Sequence, residues 1–187
     1  MTLASCTTPA STQDLLAYWL DELDGSQENR LDEHLFACAG CSERLQTIAS
    51  LGAAIRNELL RGDFGFVLPA AFIHRLKQSG LHVREYNLEP GGSVNCTVTP
   101  EDDLVVAHMR APLHDVRRLD LLIQDPVAGS MRVNDVAFDP AAGGVTMVPS
   151  VAFLRTLHNE RQHVRLVAVD GVEERVIADY TFNHYPS

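Results

Sequence analysis

The fold is decided by residues 34–41, HLFACAGC, which have the pattern H-x3-C-x2-C. On a helix, His34 and Cys38 would project from the same face, because residues four apart lie one above the other. Cys41 follows two small residues that let the backbone fold round an ion. One imidazole and two thiolates at this spacing suit tetrahedral zinc. The stretch therefore predicts a zinc site.

A structural zinc ion normally takes four protein ligands, so a fourth must come from elsewhere in the chain. Cys6 is the natural candidate, on a Ser-, Thr-, Pro- and Ala-rich leader that could fold back over the site. The alternatives are a dispensable cysteine in the leader and, for the motif as a whole, a plain buried helix face. A closed site of three Cys and one His would leave no open position, which disfavours hydrolytic zinc chemistry.

Helical patterns surround the motif on both sides. Apolar residues at helical spacing predict a first helix from Ser11 or Thr12, a second capped by Ser26, and a third from near Cys41 to about Arg61. Gly52 should weaken the third helix at mid-length. A short fourth helix is predicted over residues 69–78, between two glycine-containing breaks.

The pattern changes after residue 80. Runs of alternating and β-branched residues recur between Pro, Gly and Asp turn signals, which predicts an antiparallel β-sandwich or jelly roll. The predicted strands are Leu81–Leu88, Ser93–Thr99, Leu104–Arg110, Leu119–Gln124, Met131–Phe138, Val145–Val148, His163–Val169 and Arg175–Asn183. Ser150–Leu157 fits either a strand or a helical turn. We therefore predict an α+β fold, with a helical zinc domain over residues 1–80 and a β domain over residues 81–187.

Composition limits the functional classes. The net charge is −10 and no stripe of Lys and Arg occurs, so direct nucleic-acid binding is not expected. No segment approaches the ~18 consecutive apolar residues of a membrane helix, and no secretory signal is recognised. We therefore expect a cytoplasmic protein, in which a close cysteine pair binds metal or responds to oxidation more often than it forms a structural disulfide.

The remaining reactive side chains give weaker signals. No nucleophile elbow, phosphate loop, H-E-x-x-H or paired-carboxylate signature occurs, so we do not expect an enzyme. Cys96 is expected to pack as a buried side chain. Several histidines could converge as a second metal site or could be ordinary surface and core residues: His108, His114, His158, His163 and His184.

The segments at 14–18, 20–23 and 34–41, with Glu28, together resemble the zinc-binding anti-sigma factor domain. That resemblance implies a zinc-tied bundle of three helices that binds an extracytoplasmic-function-type (ECF-type) sigma factor, with a fourth helix reaching the same partner separately. The fourth helix would use Phe72, Ile73 and Leu76 as its anchor, although the same face could equally pack on the β domain. The family's earlier zinc ligand would fall near Pro9, so Cys6 departs from the pattern by about three positions.

The resemblance also implies two routes of release. In one, oxidation expels zinc and pairs Cys6 with Cys38 or Cys41. In the other, a C-terminal β domain senses a signal, but the H-x-H ligand motif of a cupin does not follow the glycine turn at residues 90–92. Two other readings stay open: a β-sandwich ligand-binding protein or enzyme with a structural zinc appendage, and a DNA-binding zinc module. The acidic balance argues against the second of these.

Overall fold

A computed structural model describes residues 6, 8–126, 129–157 and 159–185 of the chain. Helices in the first part are followed by two mixed β-sheets, which confirms the predicted α+β fold. The chain divides into two compact units, Met1–Asn57 and Glu58–Ser187. Segment 58–80 therefore belongs to the second unit, whereas the sequence analysis assigned it to the first.

Three helices form the N-terminal unit: α1 (Thr12–Trp19), α2 (Gly25–Ala37) and α3 (Ala39–Arg61), whose last residues cross into the second unit. The Ser11 side chain accepts a hydrogen bond from the Asp14 N–H and caps α1, as predicted. Asp24, not the predicted Ser26, caps α2, because its carboxylate accepts two backbone N–H groups within a capping box. Among the described residues, no helix is long and apolar enough to cross a membrane.

Two contacts tie α1 to its neighbours. The Tyr18 hydroxyl donates to Asp32 Oδ1 of α2 at 2.7 Å. The Trp19 ring lies against Gly52 of α3, where an added Cβ would fall 2.1 Å from the ring. Gly52 lowers the helix propensity of α3, but its missing side chain lets α1 approach. The glycine read from sequence as a weak point is therefore a packing site.

The described residues of the second unit form nine strands, numbered in chain order. They are β1 (Phe66–Val67), β2 (Val83–Leu88), β3 (Ser93–Cys96), β4 (Leu104–Arg110), β5 (Arg118–Asp125), β6 (Gly129–Val133), β7 (Gly144–Val148), β8 (Arg161–Asp170) and β9 (Glu173–His184). The first sheet has the order β1-β7-β4-β2, and the second sheet has the order β3-β9-β8-β5-β6.

The predicted strand pairing needs one correction. β2 pairs with β4, and β3 pairs with β9, in parallel, so neither sheet is purely antiparallel. The turn at residues 90–92 does not close a hairpin, because the strands it joins lie in different sheets. Its backbone instead bonds to β9, through Gly91 N to Asp179 O and Thr181 N to Gly92 O. As a result, β2 lies at one edge of the first sheet and β3 lies at one edge of the second sheet.

The two sheets share one apolar core, as in a sandwich. Ala107 and Met109 of the first sheet and Leu121 and Leu166 of the second belong to the same buried cluster. The segment left undecided from sequence forms a short helix, α5 (Val151–Leu154), which packs with Val98 and Val105 in a second cluster.

Helix α4 (Ala70–Gln78) buries the three apolar residues proposed from sequence as a partner anchor. Phe72, Ile73 and Leu76 are 5%, 1% and 2% exposed. In this structure the face is therefore covered, which favours the reading in which it packs within the protein. A partner could reach these side chains only if α4 moved away.

Polar contacts show where α4 lies in the second unit. Lys77 Nζ is 2.5 Å from Glu85 Oε2 of β2, and Glu85 Oε1 is 3.0 Å from His108 Nε2 of β4. His108 follows Ala107 on the strand and so points away from the sandwich core. Leu104 and Val106 share that outer face and are 1% and 0% exposed. These contacts put the C-terminal end of α4 against the outer face of the first sheet.

We predict that Leu76→Ala lowers the free energy of unfolding by about 2–5 kcal/mol, because it leaves a cavity under the buried face of α4. His74→Ala, on the exposed side of α4, should change it by less than about 0.5 kcal/mol. Urea unfolding followed by circular dichroism measures both. If Leu76→Ala left the stability unchanged, a packing role for this face would be contradicted. The interpretation of the face as an anchor for a partner would then be favoured.

Candidate metal centre

Four side chains converge in the N-terminal unit: Cys6, His34, Cys38 and Cys41. Their ligand atoms all lie within 4.8 Å of one another. His34 Nε2 is 3.2 Å from Cys41 Sγ and 3.6 Å from Cys6 Sγ. Zinc bonds of about 2.3 Å to sulfur and about 2.0 Å to nitrogen require N–S separations of about 3.5 Å in a tetrahedron. The cluster therefore has the dimensions and the donor set of a closed, structural zinc site.

The local backbone explains how the motif delivers its ligands. His34 lies in the last turn of α2, and Cys38 ends that helix in an extended conformation with φ −124° and ψ 97°. Because α3 begins at the next residue, Cys41 falls in its first turn. The Ser42 hydroxyl donates to the Leu35 carbonyl at 2.7 Å and closes the junction. The motif thus spans two helices, and a bound ion would join them.

The start of α3 favours the thiolate form of Cys38. The Cys41 N–H does most to lower the pKa of the Cys38 thiol, and hydrogen bonds from the Cys6 thiol and the Gly40 N–H act in the same direction. Backbone N–H groups at a helix N-terminus stabilise an anion in this way. Desolvation, with the hydrogen bond to Cys38, raises the pKa of Cys6. The backbone at the start of α3 therefore prepares the Cys38 sulfur for a metal better than that of Cys6.

Arg44 holds the leader that carries Cys6. Its guanidinium donates to the Ala10 carbonyl at 2.6 Å and to the Thr12 hydroxyl at 2.9 Å. Arg44 lies on α3, three residues after Cys41, so it attaches the leader to the helix that also supplies a ligand. Sequence reasoning did not identify this residue. The only sign of its role in the sequence was that a basic residue lies about one helical turn after the H-x3-C-x2-C motif.

The structure separates the histidines that were considered for a second metal site. His108 contacts Glu85 and Thr146, His163 contacts Thr181, and the buried His184 contacts Gln162. His114 is paired with Asp115, and His158 lies outside the described residues. Within the described ranges, the Cys6 cluster is the one group of three or more potential metal ligands.

Cys96 is 3% exposed in the sandwich core, which confirms its predicted burial. Burial raises the pKa of its thiol to about 12. At neutral pH it is therefore protonated, and it lies in the second unit, whereas the metal cluster belongs to the first. These properties make it a suitable control position for thiol removal.

We predict that Cys6→Ser weakens zinc binding at least about tenfold without abolishing it, because three ligands remain. Competition with a chromogenic zinc chelator measures the affinity. Cys96→Ala, which removes a thiol outside the cluster, should bind zinc like the unmodified chain. Full zinc retention by Cys6→Ser would remove Cys6 from the ligand set.

We also predict that Arg44→Ala weakens zinc binding by about 10–100-fold, the range typical of residues that orient metal ligands. The loss should depend on Cys6, so Arg44→Ala should have little further effect in a Cys6→Ser background. The same chelator competition on the single and double variants tests this. Additive losses would show that Arg44 does not act through the leader.

Comparisons with known proteins agree with the geometry of the site. Residues 11–42, which include three of the four ligands, match a family model described as "Putative zinc-finger". No curated protein matches the chain. The N-terminal domain of phage TP901-1 ORF48 is similar in structure, with 12% identity, a TM-score of 0.38 and coverage of 57% of this chain and 99% of that one. A TM-score this low carries no argument about fold or function. Residues 11–42 therefore match a zinc-finger family, and the converging ligands agree with that match.

Proposed function

We propose that the protein is an anti-sigma factor that binds and inhibits an ECF-type sigma factor in the cytoplasm. The observation that carries the proposal is the convergence of Cys6, His34, Cys38 and Cys41 in a segment that matches the zinc-finger family. The protein acts by binding rather than by catalysis, and the zinc ion has a structural role. When bound, zinc would cross-link the leader, α2 and α3.

The surface of the N-terminal unit supports a binding role. Phe36, Leu51 and Leu16 are 94%, 62% and 42% exposed, although each is a large apolar side chain. Residues 1–65 contain ten acidic and four basic residues, which suits a partner with a basic surface. Exposed apolar side chains within an acidic surface can supply both contact area and long-range attraction.

The second unit takes a different part in the proposal. Use of Phe72, Ile73 and Leu76 as an anchor would first expose three buried side chains, at about 1.5–3 kcal/mol each. We therefore assign the main partner contact to the N-terminal unit. The second unit is left as the candidate sensor domain, whose ligand the proposal does not name.

Release through the metal site follows from the proximity of the sulfurs. An oxidant such as a peroxide would take two electrons from two cysteine thiolates, form one disulfide and release the zinc ion. We expect Cys6 to pair with either Cys38 or Cys41, since all three sulfurs belong to the same cluster. Because metal binding supplies folding free energy to a small domain, zinc loss would weaken the helical unit and its hold on the partner.

We predict that the zinc-loaded chain retains an ECF-type sigma factor from its own genome in a co-expression pull-down and lowers transcription from that factor's promoter. Cys38→Ser with Cys41→Ser should lose both effects, because the metal centre holds α2 and α3 together. Cys96→Ala should keep them.

Failure of the zinc-loaded, folded chain to retain any ECF-type sigma factor would contradict the proposal. The alternative is then a β-sandwich ligand-binding protein or enzyme with a structural zinc appendage. Retention of the sigma factor by the double cysteine variant would instead separate inhibition from zinc.

A further inference from the structure

Three polar side chains are buried at one end of the sandwich core, each on a different strand of the second sheet. Asp125 ends β5, Gln162 lies at the start of β8, and His184 ends β9. They are 7%, 7% and 5% exposed. Burying a polar group costs free energy unless it is hydrogen-bonded, so these side chains must find their partners within the core. We call them the buried polar row.

Hydrogen bonds fix the direction of the groups in the row. Gln162 Nε2 donates to Asp125 Oδ2 at 2.7 Å, because an ionised carboxylate can only accept. The Gln162 carbonyl oxygen therefore points the other way, where it lies 3.3 Å from His184 Nε2. That oxygen can also only accept, so a neutral His184 carries its proton on Nε2. The single N–H of the neutral imidazole thus meets the single acceptor that the row offers.

The charged form of His184 is disfavoured at this place. Desolvation lowers the pKa of His184 from its ordinary value of 6.5, and attraction to Asp125 offsets only part of that effect. The amide of Gln162 lies between the two side chains and keeps them out of direct contact. On β3, the register partner of His184 is Cys96, whose thiol stays neutral because burial raises its pKa to about 12.

The other titratable groups around the row take part through the backbone or through other partners. Glu160, just before β8, meets His184 through its backbone carbonyl, which accepts the His184 N–H at 2.8 Å. Arg161 is exposed on the outer face of the sheet. Tyr86 of the first sheet packs against the shared core, but its hydroxyl is bonded to backbone atoms of the segment after β3. Among the described residues, Asp125 is thus the charged side chain that attracts a protonated His184.

We propose that His184 is an acid-sensitive latch, whose protonation opens the end of the second sheet at which β3, β5, β8 and β9 meet. A second proton on the imidazole places a full positive charge in the core, and an outward movement of the end of β9 hydrates that charge. Two backbone hydrogen bonds would break in this movement, from the His184 N–H to the Glu160 carbonyl and from the Tyr185 N–H to the Cys96 carbonyl.

The direction of the pH dependence follows from the neutral state of the closed form. Above a pH of about 6.5 the imidazole is neutral in both forms, and the latch stays closed. As the pH falls below that value, the open form binds a proton more readily than the closed form. The population of the open form then rises by at most about tenfold for each pH unit, since one proton is bound.

A response to acid would give a signal to the unit that the proposed function leaves without a named ligand. That consequence rests on the proposed function, whereas the latch itself is a property of the second unit alone.

Cys96 reports the state of the latch, because it is 3% exposed and is the register partner of His184. The zinc-loaded full chain is treated with a dithiodipyridine reagent, which reacts with thiols in acid as well as at neutral pH. Peptide mass spectrometry separates Cys96 from the three cysteines of the metal cluster. The rate of labelling is divided by the rate for the urea-unfolded chain at the same pH, which removes the pH dependence of the reaction itself.

We expect the relative rate at Cys96 to rise by about three- to tenfold as the pH falls by one unit from about 6.5. His184→Gln removes the titration and keeps an amide N–H for Gln162, so its relative rate should change by less than about twofold. His163→Gln replaces an exposed histidine on the outer face of β8 and should respond to acid like the unmodified chain. Amide hydrogen exchange in β4, measured against the same unfolded reference, should stay slow throughout, because only one end of the sandwich opens.

A relative rate that does not change with pH in the unmodified chain would overturn the proposal, and this measurement does not require His184→Gln to fold. A rise that His184→Gln retains would assign the response to another group and also overturn it. Faster exchange in β4 together with the labelling would show that the whole sandwich unfolds, which contradicts the opening of one end. None of these outcomes depends on sigma-factor binding.

Discussion

The N-terminal unit depends on the meeting of four ligand side chains from three separate backbone segments. Its two complete helices have 8 and 13 residues, and helices of that length are marginal in water without tertiary support. A unit of fewer than 60 residues also buries a small share of its surface. A tetrahedral cross-link between the leader, α2 and α3 would compensate for the short helices and for the small buried surface. In the proposed function the same residues would therefore serve both as a structural clasp and as the point of release.

The second unit has a different source of stability. Its two sheets enclose an apolar core, and its buried side-chain polar atoms find partners among the described residues. None of that core depends on the proposed metal. Loss of zinc should therefore act first on the helical unit, while the sandwich stays folded.

Predictions from local pattern succeeded where the signal lay within a few residues. The H-x3-C-x2-C spacing, the Ser11 cap and the strand at Leu104–Arg110 were all read correctly. Predictions failed where two neighbouring signals competed or where a remote segment decides the outcome. The cap of α2 moved from Ser26 to Asp24 because both residues are good caps and the capping box decides between them. The packing role of Gly52 was not predicted, because the Trp19 ring that lies against it comes from another helix.

The amino-acid sequence by itself determined most of the element types and the three adjacent potential metal ligands, since periodicity and ligand spacing are local properties. The sequence offered Cys6 as a candidate fourth ligand, and the tertiary structure brings it to the other three, beside a leader that Arg44 holds. It also decided the parallel pairing of β2 and β3, and the burial of the apolar face of α4. An apolar stripe predicts that something covers it. Only the packed chain shows whether that cover is the protein itself or a partner.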